Sequence, residues 1–255
     1  MFILHQIKVA CSSLASTFRS WRGTIAFPPA ARQPEKLLQL YDYEASPYCR
    51  LVREALSELD LDALILPCPQ RGTRHRPQAV ALGGRSLFPF LIDPNTGKQL
   101  HESADIIDYL SQTYGGRIRA QRGIRRGFAV LGSFMSSSIE LARGSQAVPS
   151  KAPAQPLELY SFESSPYCRL VRERLCELEI PYILRSTGKA RWEDVGMPWI
   201  RRRFFPNVPV EGRNRLRLLA QAGRVQVPYL IDPNTGAALF ESAEIIRYLN
   251  RTYRA

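Results

Sequence analysis

Apolar positions along the chain fall into short runs and helical stripes, and the same succession occurs twice. LLQLYDY (37–43) and LELYSF (157–162) are short apolar runs that predict strands. Each leads into Ser-Pro, a helix N-cap followed by a first-turn proline. In the helix that follows, Leu51, Val52, Ala55, Leu56 and Leu59 recur at helical spacing. A second short strand is predicted at 63–66 and at 182–184, and then an Arg-rich stretch containing a helix, clearest in RNRLRLLAQAG. FPFLIDPNTGKQLHE and VPYLIDPNTGAALFE each read as strand, tight turn, strand, because Asp-Pro-Asn-Thr-Gly is turn chemistry. A last helix runs from Glu-Ser-Ala to Thr-Tyr, so the predicted order is βαβαββα in each copy.

The repeat is close. SPYCRLVRE at 46–54 recurs letter for letter at 165–173, an offset of 119, and LIDPNTG at 91–97 recurs at 230–236, an offset of 139. The extra residues of the second copy are expected near 192–211. Ahead of the first copy, Leu4, Ile7, Cys11, Leu14, Phe18 and Trp21 step by three and four, and Ile124, Phe128, Leu131, Met135 and Ile139 do nearly the same ahead of the second. Arg22-Gly23 and Arg143-Gly144 follow these stripes, and Pro-rich linkers follow those. The organisation expected is an N-terminal amphipathic helix and linker (1–35), a first domain (36–116), a helix and Pro-rich linker (117–155), and a second domain (156–255). The two helices, 2–22 and 122–142, are expected to bury their apolar stripes on the cores.

Composition narrows the class. The chain has 255 residues and a net charge of +12, and no apolar run is long enough to span a bilayer. Its basic residues concentrate at 1–34, 117–151 and 185–224, outside the repeated motifs, and most are Arg. Arg suits bidentate contact with carboxylate or phosphate, so an anionic partner or membrane surface is one expectation, and a solvated basic surface is the other; nothing points to specific nucleic-acid binding. Five cysteines, Cys11, Cys49, Cys68, Cys168 and Cys176, never fall in a CxxC or metal-ligand spacing. They read as reduced thiols in a cytosol-like compartment. An acid-free N-terminus containing Ser and Arg also fits an organellar transit segment, but its recurrence inside the chain favours a structural helix.

Ser-Pro-Tyr-Cys at a strand-to-helix junction, Phe-Pro or Val-Pro opening the third strand, and Glu-Ser heading the last helix together resemble the glutathione-binding thioredoxin fold. More narrowly, 36–116 and 156–254 resemble proteins built of tandem glutathione S-transferase N-terminal domains, relatives of the glutaredoxins. The fold this implies is α/β, two tandem thioredoxin-like domains, packed as a pseudo-symmetric pair or as a homo-oligomer. The ligand it implies is glutathione. Phe88-Pro89 and Val227-Pro228 match the cis-proline that presents backbone groups to the tripeptide, and Glu102-Ser103 and Glu241-Ser242 match the acidic-Ser pair that takes the γ-glutamyl group.

Ser46 and Ser165 stand where a glutaredoxin has its nucleophilic cysteine. Serine forms no mixed disulfide, but in some transferase classes a serine hydroxyl there stabilises the glutathione thiolate. Cys49 and Cys168, one turn further on, match the shielded thiol of the redox relatives. Three functions follow: a glutathione-dependent transferase or reductase using Ser46 or Ser165; a glutathione-responsive or structural scaffold, in which those serines are helix caps; and a monothiol redox protein using Cys49 or Cys168. Full transferases also carry an all-helical domain that builds the electrophile pocket. The 34 residues between Gly116 and Lys151 leave no room for it, so that pocket is expected from the preceding helices, the 192–211 insertion or the other copy.

Overall fold

In the computed structural model the described residues are 2–18, 21–26, 28–115, 144–194, 203–204 and 208–255. The helix expected at 122–142 and most of the 192–211 insertion lie outside them.

The first repeat consists of β1 (Leu38–Asp42), α2 (Pro47–Glu58), β2 (Ala63–Pro67), α3 (Arg76–Gly83), β3 (Phe90–Asp93), β4 (Lys98–Leu100) and α4 (Ser103–Tyr114), after an N-terminal α1 (Phe2–Phe18). The second has β5 (Leu157–Ser161), α5 (Pro166–Glu177), β6 (Tyr182–Ser186), a short 3-10 turn at Trp192–Asp194, α6 (Arg213–Ala222), β7 (Tyr229–Asp232), β8 (Ala237–Phe240) and α7 (Ser242–Tyr253). Both are βαβαββα units of thioredoxin type: β1 pairs parallel with β2 and antiparallel with β3, and β5 pairs likewise with β6 and β7.

The two units share one sheet. The strand order is β4-β3-β1-β2-β6-β5-β7-β8, closed at its centre by antiparallel pairing of β2 with β6. Leu64 lies opposite Ile183, its own counterpart in the repeat, and Ala63 opposite Leu184. A local twofold axis therefore passes through the Leu64–Ile183 pair. One apolar core runs across the axis, from Leu59, Leu61 and Ile65 to Leu178, Ile180 and Leu184. The two repeats pack as a pseudo-symmetric pair within one chain.

Much of the repeated sequence serves this scaffold. Arg53 of α2 reaches Glu163 of the second repeat at 3.2 Å, Glu44 at 3.4 Å and Asp42 at 2.5 Å. Its counterpart Arg172 of α5 reaches Glu44 and Glu163, each at 3.0 Å. All five side chains are buried. Desolvation pushes the Asp42 and Glu44 carboxyls up, whereas Glu163, despite its burial, is held at about 2 by Arg172 and Arg53. Each repeat thus braces the loop ahead of the other repeat's Ser-Pro-Tyr-Cys helix, which explains why the repeated string runs on through CRLVRE. Gly23 and Gly144, both at positive φ, press against this cluster: a Cβ on Gly23 would lie 2.8 Å from Glu163 Cβ, and one on Gly144 2.9 Å from Glu44 Cβ. Only glycine fits there.

The Asp-Pro-Asn-Thr-Gly turns are also structural clamps. Asp93 accepts hydrogen bonds from the Asn95 backbone N–H (2.8 Å), Tyr109 (2.7 Å) and Tyr114 (2.5 Å). Asp232 accepts the same set from Asn234, Tyr248 and Tyr253. The recurrence of YL and TY in the last helices is thereby accounted for.

Two expectations are corrected. Helix α1 forms, but among the described side chains of the stripe expected to be buried, Ile7 and Leu14 are 53% and 56% exposed, Trp21 beyond the helix is 44% exposed, and Cys11 is half-buried. The face that packs carries Val9, Ser12 and Ser16, and it packs on α5 of the other repeat. Small residues permit a close approach there, and Ser16 Oγ–H donates to Ser164 O at 2.8 Å. The crossing is mirrored downstream, where Ile25 bridges Lys189 and Gln146 bridges Gln70. The arginines of 185–224, expected on a free basic surface, are in part consumed internally. Arg185 and Arg213 both pair with Asp62, at 3.0 and 2.8 Å, and Arg215 with Asp194 at 3.1 Å.

Candidate functional site

Strand register brings the three motifs of each repeat to one end of the sheet. Tyr41 lies opposite Phe90, so the end of β1, which leads to Ser46, stands beside the start of β3, which follows Phe88-Pro89. The Tyr43 ring meets Phe88 edge-on at 6.3 Å, and Phe90 stacks at 4.3 Å on His101, the neighbour of Glu102-Ser103. In the second repeat Tyr160 lies opposite Tyr229, whose ring packs on Tyr160 at 5.9 Å and on Phe240 at 4.3 Å. Phe240 adjoins Glu241-Ser242. The Phe88-Pro89 and Val227-Pro228 peptides are both cis.

Ser46 and Ser165 cap α2 and α5: their hydroxyl oxygens accept from the backbone N–H of Cys49 (3.2 Å) and Cys168 (3.3 Å). Each hydroxyl also has a proton to donate, within reach of Tyr43 and Cys49 at Ser46 and of Cys168 at Ser165. Both serines are buried, while the neighbouring Tyr48 and Tyr167 are each 42% exposed. Cys49 and Cys168 are fully buried. Burial pushes the Cys49 thiol up to about 12 and raises that of Cys168 as well, so neither forms a thiolate readily.

Ser103 and Ser242 head α4 and α7, each buried at the positive end of a 12-residue helix. The residues ahead of them differ. Glu102 has an ordinary extended backbone, φ −80°, whereas Glu241 sits at φ +64°. A Gln226 side-chain N–H donates to Glu241 Oε1. Tyr43 beside Ser46 is replaced by Phe162 beside Ser165, and His101 by Phe240. His101 is fixed by Gly83 O at 3.0 Å and Leu87 O at 3.1 Å, whereas the Arg224 guanidinium lies over Phe240 at 4.1 Å.

One residue at this site was given no role by the sequence, in which His5, His75 and His101 are scattered and form no metal or base constellation. His5, on α1, places Nε2 3.1 Å from Ser242 Oγ. The only available signal was its position on the helical face opposite the apolar stripe, which gave no reason to single it out. Among the described residues no group of side chains could hold a metal ion, and no helix is long and apolar enough to cross a membrane.

A family model described as glutathione S-transferase, N-terminal domain, matches residues 40–118 and again 159–255. Among curated proteins nothing matches. A solved structure, the Bombyx mori glutathione transferase BmGSTD1, is 27% identical over 34% of this chain and 39% of that one, with a TM-score of 0.30. The chain therefore spans well under half of that enzyme's length. Two family matches, together covering more than half of the sequence and each coinciding with one βαβαββα unit, show that the chain belongs to the glutathione S-transferase N-terminal-domain family.

Proposed function

We propose that the protein binds glutathione at the ends of its shared sheet and uses a serine hydroxyl to orient the bound thiolate for transfer or reduction. The observation that carries this reading is the convergence, in each repeat, of Ser-Pro-Tyr-Cys, the cis-proline and Glu-Ser through the register of the central strands. In this reading the cysteinyl peptide of glutathione lies along Phe88-Pro89 or Val227-Pro228. Its carboxylate meets the N-terminus of α4 or α7, and its ammonium meets Glu102 or Glu241. The reactive sulfur belongs to the ligand, because Cys49 and Cys168 are buried with raised pKa values. A thiolate at the N-terminus of α2 or α5 would take the helix dipole and the serine proton.

Calorimetric titration with glutathione tests the binding. Wild type is expected to bind, and Glu102→Ala and Glu241→Ala to weaken the site each belongs to. The absorbance of the bound thiolate against pH tests the chemistry. Loss of a hydrogen bond to a charged group, roughly 1.5–3 kcal/mol, should raise the pKa of bound glutathione by about one to two units in Ser46→Ala or Ser165→Ala. Cys49→Ser and Cys168→Ser should leave it in place. If instead a cysteine variant abolishes turnover and the serine variants titrate like wild type, the monothiol reading replaces this one.

A second reading, a non-catalytic scaffold, is favoured by the caps themselves. Both serines are buried and already used to terminate helices, and the repeated string braces the axis as well as the site. No heat of binding with glutathione would select it.

A further inference from the structure

We propose that His5, carried on α1 from ahead of the first repeat, is a positioning residue of the second repeat's glutathione site. It holds the Ser242 hydroxyl so that its proton points to the carboxylate of the γ-glutamyl group. This rests on the glutathione reading above, and adds to it a residue from outside the matched segments and a difference between the two sites.

The argument begins with how α1 is held. Ser16 Oγ–H donates to Ser164 O at 2.8 Å and accepts from Arg169 Nη2–H at 3.4 Å. Beyond the helix, the Ala26 N–H donates to Lys189 O at 2.9 Å and the Lys189 N–H to Thr24 O at 2.7 Å. These contacts dock the segment on the second repeat without any help from His5. The histidine is then a half-buried side chain at the near end of a fixed helix, with Nε2 3.1 Å from Ser242 Oγ.

A serine hydroxyl has one proton and two acceptor positions. With the ring N–H on Nε2 donating to Oγ, that proton is free to be donated to an anion. Burial and the nearby Lys8 lower the pKa of His5, although Glu241 opposes them; the ring is therefore neutral and has a single N–H to direct. Lys8, about one turn along α1, adds positive charge near His5.

The experiment uses the full chain in a Ser103→Ala background, which weakens the first repeat's site. Two ligands are titrated by calorimetry: glutathione, and 4-aminobutyryl-cysteinyl-glycine, which lacks only the γ-glutamyl carboxylate. His5→Ala should weaken glutathione by about three- to tenfold, the range of one neutral hydrogen bond, and leave the analogue unchanged. His5→Gln, which keeps a donor, should recover most of the loss. Equal losses for both ligands would mean that His5 only supports the fold. Tighter glutathione binding by His5→Ala would mean that the imidazole occupies the carboxylate position. Either result overturns the proposal. Binding that responds to Ser242→Ala but not to His5→Ala overturns this inference alone, and so does binding that disappears with Ser103→Ala. If wild type does not bind, the glutathione reading falls with it.

Discussion

The centre of the molecule and the ends of its sheet have kept the duplication to different degrees. At the axis, Arg53 and Arg172, Glu44 and Glu163, and Gly23 and Gly144 make matching contacts across the two repeats. At the ends the counterparts diverge: Glu102 is relaxed and Glu241 is at φ +64°, Phe162 stands in place of Tyr43 and Phe240 in place of His101, and Ser242 has His5 as a partner. A buried charge cluster tolerates little change, because removing one member leaves another charge unpaired in a desolvated place. The ends carry no such constraint, so one repeat can specialise while the other does not.

The largest expected effects test the symmetric half of that comparison. Arg53→Ala and Arg172→Ala should each lower the unfolding free energy by about 3–5 kcal/mol, the cost of breaking a buried ion cluster on one side. Both losses should show in denaturant titrations, the larger for Arg53, which also holds the buried Asp42 where Arg172 meets Ser161. A loss confined to one arginine would show that the axis is less symmetric than its geometry.

The turn clamps give a smaller effect with a defined pH dependence. Hydrogen bonds from the tyrosines and asparagines hold the Asp93 and Asp232 carboxyls below their usual range, against the opposing effect of burial. A carboxyl whose pKa is depressed by folding contributes stability that is complete above the unfolded value and is lost as pH falls through the folded value. Asp93→Asn and Asp232→Asn should therefore each cost about 1–3 kcal/mol at neutral pH. Repeating the urea titration near pH ~3 should show the gap to wild type shrinking, since wild type loses the same contribution there.

The smallest effect concerns the ends, where the two repeats should respond with opposite sign. Glu241→Gly relieves a left-handed backbone and should raise the melting temperature, by up to about 1 kcal/mol in stability. Glu102→Gly removes the side chain and adds chain freedom at a relaxed position, and should lower it by about 0.5–1 kcal/mol. Equal responses would remove the backbone difference between the two sites.

Much of this fold was legible because its signals are local. Ser-Pro before an apolar helical stripe marks the start of a helix wherever it occurs, and Asp-Pro-Asn-Thr-Gly closes a hairpin through contacts within a few residues. Repetition of each signal confirmed it. The serines were correctly placed at the heads of α2 and α5, and as caps they are now seen to be in use.

The amino-acid sequence by itself determined two βαβαββα units and the motifs that the register later gathers. Only the tertiary structure decided how the halves join: a shared sheet through Leu64 and Ile183, guanidiniums exchanged across the axis, and α1 laid on the opposite repeat with Ile7 and Leu14 outward. The physical reason is range. Helical spacing shows that a stripe exists but not which surface it will meet. An arginine in a helix looks solvent-bound until a carboxylate more than a hundred residues away is folded against it. His5 belongs to that second kind of information, since its meaning lies entirely in a serine at the other end of the chain.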